Sequence, residues 1–336
     1  MGETGSKVRL EDIAKRLGVS KMTVSLALRN DFAVAESTRE KVKALAAEMG
    51  YMRDPLLSLH MAKLRRGGSS RFHPKLAFLN PHPYKEKLGE SPAQTAFLKG
   101  SQARALELGY EVEEVWLGED AFKTCSLKTY FKRNAIHGFL CLGEPEGKGI
   151  PWDCFPSVAV GYTMTKAGLH RVCNNQKRSA QMVLREMTRL GRKRVSMAMR
   201  AGLDRELDEN YSSAFLCAQS WQSESSRVPL FRPEAWNRDE FFKWLDEAKP
   251  DAIAGLEFEV LIDWIAEYNK LHNSAITPVA LAHNQNWKGC PGVDQRSLRV
   301  GATALEIVVQ QINMGLSGIP EEPWLILLEG KWVDPS

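Results

Sequence analysis

Near the start of the chain, two short amphipathic segments are separated by a single glycine, and this pairing limits what the region can fold into. Apolar residues recur at Leu10, Ile13, Ala14 and Leu17, one face of a short helix. Gly18 supplies a tight turn, and Val19 points back into a small core. Ser20 is placed to cap a second helix, 21–29, with Val24, Ala27 and Leu28 facing inward. A third helix is expected at about 37–49. Val42, Leu45, Ala46 and Met49 close the core, Ser37 and Glu40 form a capping box, and Gly50 stops the helix. Two short helices joined by a glycine-containing turn have the geometry of a DNA-reading pair.

Charge distribution supports that reading. Residues 1–66 hold 13 Lys/Arg against 8 Asp/Glu, whereas the remaining 270 hold 32 against 33. One basic end is the footprint of a segment that meets a polyanion; a solvated, idle end is the alternative. A recognition helix reads base edges with its N-terminal residues. Lys21 is suited to a guanine edge or a phosphate, and Met22 and Leu26 to thymine methyls. Ser20, Thr23 and Arg29 are suited to phosphates. Ser25 also faces outward, and Leu10 and Asn30 complete the candidate contacts.

From Val8 to Tyr51 the motifs D-I-A, G-V-S-x-x-T-V-S, T-R-E-K-V and G-Y stand at spacings that resemble the head of the LacI/GalR repressor family. Two positions depart from that pattern. Leu26 stands where the family commonly has Arg, and Ala35 replaces the usual Ser, which leaves Ser37 as the cap. Behind the head, Pro55 opens a short helix from Leu56 to about Leu64, followed by the break Gly67-Gly68-Ser69-Ser70. By resemblance this is a hinge helix that orders on operator DNA and wedges a leucine into the minor groove. The family's leucine falls on His60, so Leu59 or Met61 would have to act as the wedge. A plain linker with a basic end is the other reading.

From Pro74 onward, short β-branched runs alternate with helical stretches. Strands are expected at 75–79, 110–116, 136–142, 157–160, 194–199, 228–231, 251–255 and 278–282. Helices are expected at 93–109, 121–132, 179–190, 208–220, 238–248, 258–271 and 301–314. Strands separated by helices imply an α/β fold with parallel sheets covered on both faces. The expected architecture is an all-α helix-turn-helix head followed by two doubly wound lobes. The resemblance implies that the lobes are of the periplasmic-binding-protein type, with an effector in the cleft between them. The expected domains are a head at 1–52, a hinge at 53–70, one lobe at 74–172 and 297–325, and another at 173–296 and 326–336.

Ligands of open α/β sheets bind beyond the carboxyl ends of strands. Asn80 and Tyr84 follow the first strand, and the resemblance places them at the cleft. In Asp208–Phe215, Tyr211 replaces the family's ligand-gripping Arg, and Asn210 precedes it. Glu257 and His283 stand where the family carries acidic residues, and Gln295 matches its cleft glutamine. Tyr162, Trp287 and Trp221 offer stacking surfaces for sugar C–H groups. Loss of the Arg and of the acidic pair removes charge-assisted grips on a standard hexose or anionic base, so the ligand is unusual or the cleft degenerate.

Other classes find little support. Nucleophile-elbow, zincin, P-loop and dinucleotide-binding motifs are absent, and the seven histidines do not cluster with Cys or carboxylates at ligand spacing, so neither catalysis, a metal nor a cofactor is expected. The six cysteines lie far apart and read as small core residues. Without a secretory leader or an apolar run of about 20 residues, the expected place is the cytoplasm. The reading is therefore a homodimeric regulator, a repressor by family default, bound to double-stranded operator DNA and a sugar-like effector. The alternative is a solute-binding or enzyme-like α/β protein with a non-regulatory basic head.

Overall fold

A computed structural model of the chain describes residues 8–28, 33–51, 74–118, 126–143, 149–164, 168–284, 287 and 289–335. Its head consists of α1 (Leu10–Leu17), α2 (Lys21–Ala27) and α3 (Glu36–Glu48). The Arg9 N–H donates to Asp12 Oδ2 at 2.7 Å at the start of α1, which satisfies one of the free amides there. Gly18 ends α1 at φ +65°, a left-handed conformation that glycine adopts without a Cβ penalty. Ile13, Ala14, Val24, Ala27, Val34, Val42, Leu45 and Ala46 close a small core. The third helix starts earlier than expected. Ala35 is its N-cap and makes no side-chain cap, so Ser37 lies inside the first turn instead of at its edge.

The rest of the chain alternates strand and helix. Following β1 (Lys75–Asn80) come a 3-10 turn (Lys85–Glu90), α4 (Pro92–Leu108), β2 (Glu111–Trp116), α5 (Leu127–Arg133), β3 (Ile136–Leu142), β4 (Ser157–Val160) and β5 (Arg171–Asn174). Then follow α6 (Gln176–Arg189), β6 (Val195–Met197), α7 (Ala201–Glu206), α8 (Asn210–Ser220), α9 (Arg238–Ala248), β7 (Ala252–Gly255) and α10 (Phe258–His272). The last elements are β8 (Thr277–Ala280), β9 (Gly292–Asp294), α11 (Ser297–Met314), β10 (Leu325–Leu328) and β11 (Lys331–Val333).

Two compact units result. The first takes in the head, the stretch to Val160, Met164–Arg171 and Gly301–Leu325; the second takes in Gly161–Thr163, Val172–Val300 and Ile326–Ser336. One sheet has the order β10-β5-β4-β3-β1-β2, with β1 parallel to β2 and β3, and β3 parallel to β4. Phe131 packs on Phe139 and Phe155 beneath it. Gly301 lets α11 approach α4 closely, because a Cβ there would stand 1.9 Å from the Phe97 carbonyl oxygen. The other sheet has the order β11-β9-β8-β7-β6 and is parallel except for β11, which runs antiparallel to β9.

Several short elements escaped the sequence pattern. Strands β5, β9, β10 and β11 are three or four residues long and were not expected from the sequence. The strand expected at 228–231 contributes only a parallel bridge between Phe231 and Ala198. Helix α8 begins at Asn210 because Asp208 and Glu209 both adopt positive φ, 54° and 52°, which stops helical pairing before it.

Candidate functional site

In the head, Ser20 caps α2: its Oγ accepts from the Thr23 N–H at 3.0 Å and lies 2.8 Å from Thr23 Oγ1. Lys21 and Met22 then stand on the outer surface, and Met22 is 62% exposed although apolar. Lys21 Nζ donates to Glu11 Oε1 on α1 at 2.6 Å. That hydrogen bond, and then the ammonium charge, holds the Glu11 carboxyl below its ordinary range. Thr23 and Ser25 are half-buried. Leu10 and Leu26 pack against the head core, so only part of each side chain is left for an outside partner. Arg29 and Asn30 lie outside the described residues, as do Leu59, His60 and Met61.

At the end of β1, Asn80 is fully buried and knits its own loop. Its Nδ2 donates to the Lys85 carbonyl at 3.1 Å and to Glu114 Oε1 at 2.7 Å, while its Oδ1 accepts from the His82 N–H at 3.1 Å. An amide engaged in this way scaffolds the turn and has little left for a ligand. Tyr84 is exposed and donates to Glu90 Oε1 at 2.9 Å. His82, in the same loop, lies 2.8 Å from Gln94 Oε1 through its Nε2.

The second unit gathers most of the other candidates. Gln295 is 6% exposed, and every site on its amide is engaged. Its Oε1 accepts from Asn174 Nδ2 at 2.5 Å and from Ser179 Oγ at 3.3 Å. Its Nε2 donates to the Tyr211 hydroxyl at 3.0 Å and to the Leu281 carbonyl. A glutamine amide offers two acceptor and two donor sites, so Gln295 is saturated inside the protein. Tyr211, in place of the family's arginine, is buried; burial drives its hydroxyl well above the ordinary phenol range against the hydrogen bonds from Asn174 and Gln295. Tyr162 joins the network by donating to the Asn174 carbonyl at 3.2 Å. Asn210 is spent on the turn before α8, where its Nδ2 donates to the Leu207 carbonyl at 2.7 Å.

A different, largely half-buried set stands after the strand ends. Glu257, just after β7, accepts from Arg200 Nε at 2.5 Å, and its Oε2 lies 3.3 Å from the Arg200 N–H, just after β6. Trp287 stacks at a tilt on Phe258, with centroids 4.6 Å apart, and the His283 ring stands edge-on to it at 6.4 Å. Arg200 was not singled out from the sequence, although the rule that ligands sit after strand ends would have found it. Trp221 stands apart from this group, 87% exposed at the end of α8. Deeper in the same unit, Asp204 is fully buried 2.9 Å from Arg232 Nη2, which also meets Glu209 at 3.0 Å.

Residues 9–54 match the model for bacterial regulatory proteins of the lacI family. The chain carries a lacI-family head. A curated relative, the sucrose operon repressor of Vibrio alginolyticus, is 44% identical over 43 residues, which make up 13% of this chain and 46% of that protein. The matched segment thus spans about half the length of that relative. Two solved structures align with nearly the full length of the chain. The transcriptional regulator CelR in complex with cellobiose is 18% identical, covers 97% of this chain and 98% of its own, and has a TM-score of 0.54. The lac repressor dimer bound to operator and the anti-inducer ONPF is 14% identical, covers 98% of both chains, and also scores 0.54. The lacI-family head is thus followed by α/β sheets of the kind found in those regulators. Among the described residues, no group of three or more His, Cys, Asp and Glu is placed to hold a metal, and no helix is long and apolar enough to cross a membrane.

Proposed function

We propose that the protein is a homodimeric transcriptional repressor of the cytoplasm that binds operator DNA through its head and answers to a sugar-like effector. The observation that carries this reading is the lacI-family match at 9–54 on a helix pair whose second member presents Lys21 and Met22 to solvent. Ser20, Thr23 and Ser25 accompany that pair on α2 and its cap, with Leu10 and Leu26 contributing their exposed edges; Arg29 and Asn30 complete the proposed DNA contacts. Two heads in a two-fold dimer meet two half-sites of a pseudo-palindrome. The domain boundaries are 1–52 for the head, 53–70 for the hinge, and two lobes beyond, with Leu59, His60 and Met61 at the minor groove.

The effector binds at the carboxyl ends of the second unit's strands, where Arg200, Glu257, His283 and Trp287 offer a charged pair beside an aromatic surface. Such a surface suits a polyhydroxylated ligand. The sugars named with the relatives, cellobiose and sucrose, support that class. Tyr211 and Gln295, engaged inside the unit, are not grips. The chain acts by binding, not by catalysis, and effector binding changes operator affinity through a coupling of about 1–3 kcal/mol.

A thermal-shift screen of the full chain against mono- and disaccharides and sugar acids tests the effector half. A bound effector at about 100 times its Kd stabilises by about 2.7 kcal/mol, a shift of a few degrees. The expected result is a hit that is lost in Glu257→Gln and that changes operator affinity. Hits that leave DNA binding unaltered would contradict the regulatory reading.

A further inference from the structure

The Lys21–Glu11 contact poses a problem for a DNA-binding surface. Both side chains are about 60% exposed, and their charged atoms are 2.6 Å apart. An ion pair this exposed adds little to stability. It adds little to non-specific attraction either, because counterion release scales with net positive charge and the pair has none. A carboxylate on a surface that meets phosphates is unfavourable unless it has a donor of its own to address. One kind of donor is available in the major groove, the exocyclic amino group of a base.

We propose that Glu11 and Lys21 act as one reading unit for a G·C base pair, Lys21 donating to guanine and Glu11 accepting from the cytosine amino group. This deepens the DNA-binding reading above and rests on it. The spacing fits. Guanine O6 and cytosine N4 are hydrogen-bonded to each other and so lie about 2.9 Å apart, close to the separation of Lys21 Nζ and Glu11 Oε1. The order of acceptor and donor also fits. In C·G and A·T the pattern is reversed, so that ammonium meets amino group and carboxylate meets carbonyl. T·A has the same order as G·C but lacks guanine N7 as a second acceptor for the ammonium. Glu11 stays ionised because Lys21 holds its carboxyl low, which leaves it an acceptor only. Position supports the unit as well. Lys21 is the first residue of α2, where a recognition helix touches bases, and Glu11 reaches it from α1 across the Gly18 turn.

The test selects duplexes from a library of about 30 base pairs with a randomised centre, using the full chain. Wild type, Glu11→Gln and the swapped double variant E11K/K21E are compared. The wild type is expected to enrich G·C at one position of each half-site, by at least about tenfold over C·G and A·T. In Glu11→Gln that preference falls below about threefold while the rest of the motif persists. The swapped variant keeps an ion pair between α1 and α2 and is expected to invert the preference to C·G. Retention of the same base at full strength in Glu11→Gln, or of G·C in the swap, would overturn the proposal. If the wild type enriches no motif at all, the DNA-binding reading fails with it. If the wild type enriches a motif that both variants share, only the role of Glu11 fails.

Discussion

In the head, apolar side chains from three helices close on one another, and Lys21 and Met22 are left facing solvent. In the second unit the reverse holds for several polar residues. Tyr211, Gln295, Asn174 and Tyr162 turn inward and satisfy one another, while Arg200, Glu257 and Trp287 remain at the strand ends. The difference separates two uses of a polar side chain. A polar group with an outside partner is kept exposed, whereas a polar group whose partners are all internal holds the fold in place and is costly to remove. Matching a motif position identifies where a side chain begins. Counting its hydrogen bonds shows whether anything is left for a ligand.

The sharpest way to break that contrast is Gln295→Leu. If Gln295 is an internal hub, its loss takes a partner from each of the Tyr211 hydroxyl, the Leu281 carbonyl and the Asn174 amide. The expected cost is about 2–4 kcal/mol, read as a lower urea midpoint with an unchanged slope. If the residue is instead a ligand grip with free capacity, stability stays within about 0.5 kcal/mol and only the effector response is lost.

A smaller effect is expected at Ser20. Its hydroxyl caps α2, so Ser20→Ala should destabilise the head by about 1 kcal/mol and weaken DNA binding without altering the preferred sequence. A changed sequence preference would place Ser20 on a base instead.

The smallest effect concerns His170 in the first unit, whose buried ring accepts from the Trp324 N–H through Nδ1 at 3.0 Å and stacks on the indole at 4.7 Å. Burial holds the pKa of His170 below its ordinary value. The unfolded chain therefore takes the proton first, at about pH 6.5. The contribution of His170 to stability is complete above that pH and declines as the pH falls through it towards the folded value. His170→Gln, which keeps an acceptor for Trp324, should flatten urea midpoints measured at about pH 7.5 and 5.5. An unchanged pH slope would show that the ring does not titrate on unfolding.

The head was legible from sequence because its three helices are short, regular and punctuated by Gly18 and Ser20, and because its apolar spacing has one solution. The alternation of strand and helix beyond Pro74 was equally readable. What escaped was of two kinds. Strands β5, β9, β10 and β11 derive their pairing from distant partners and carry no period of their own. The fates of Asn80, Tyr211 and Gln295 depend on hydrogen bonds to residues far apart in the chain, such as Asn174 to Gln295, which no local pattern encodes. Arg200 is a different case: its place just after β6 was readable, but its pairing with Glu257, 57 residues away, was not.

The most direct test of the central claim compares the full chain with one lacking residues 1–66 in fluorescence anisotropy on a duplex selected by the full chain. The account expects tight, salt-sensitive binding to that duplex by the full chain and a loss of at least about a thousandfold on truncation, to the level of non-specific association or below. Sequence-specific binding retained by the truncated chain would contradict it.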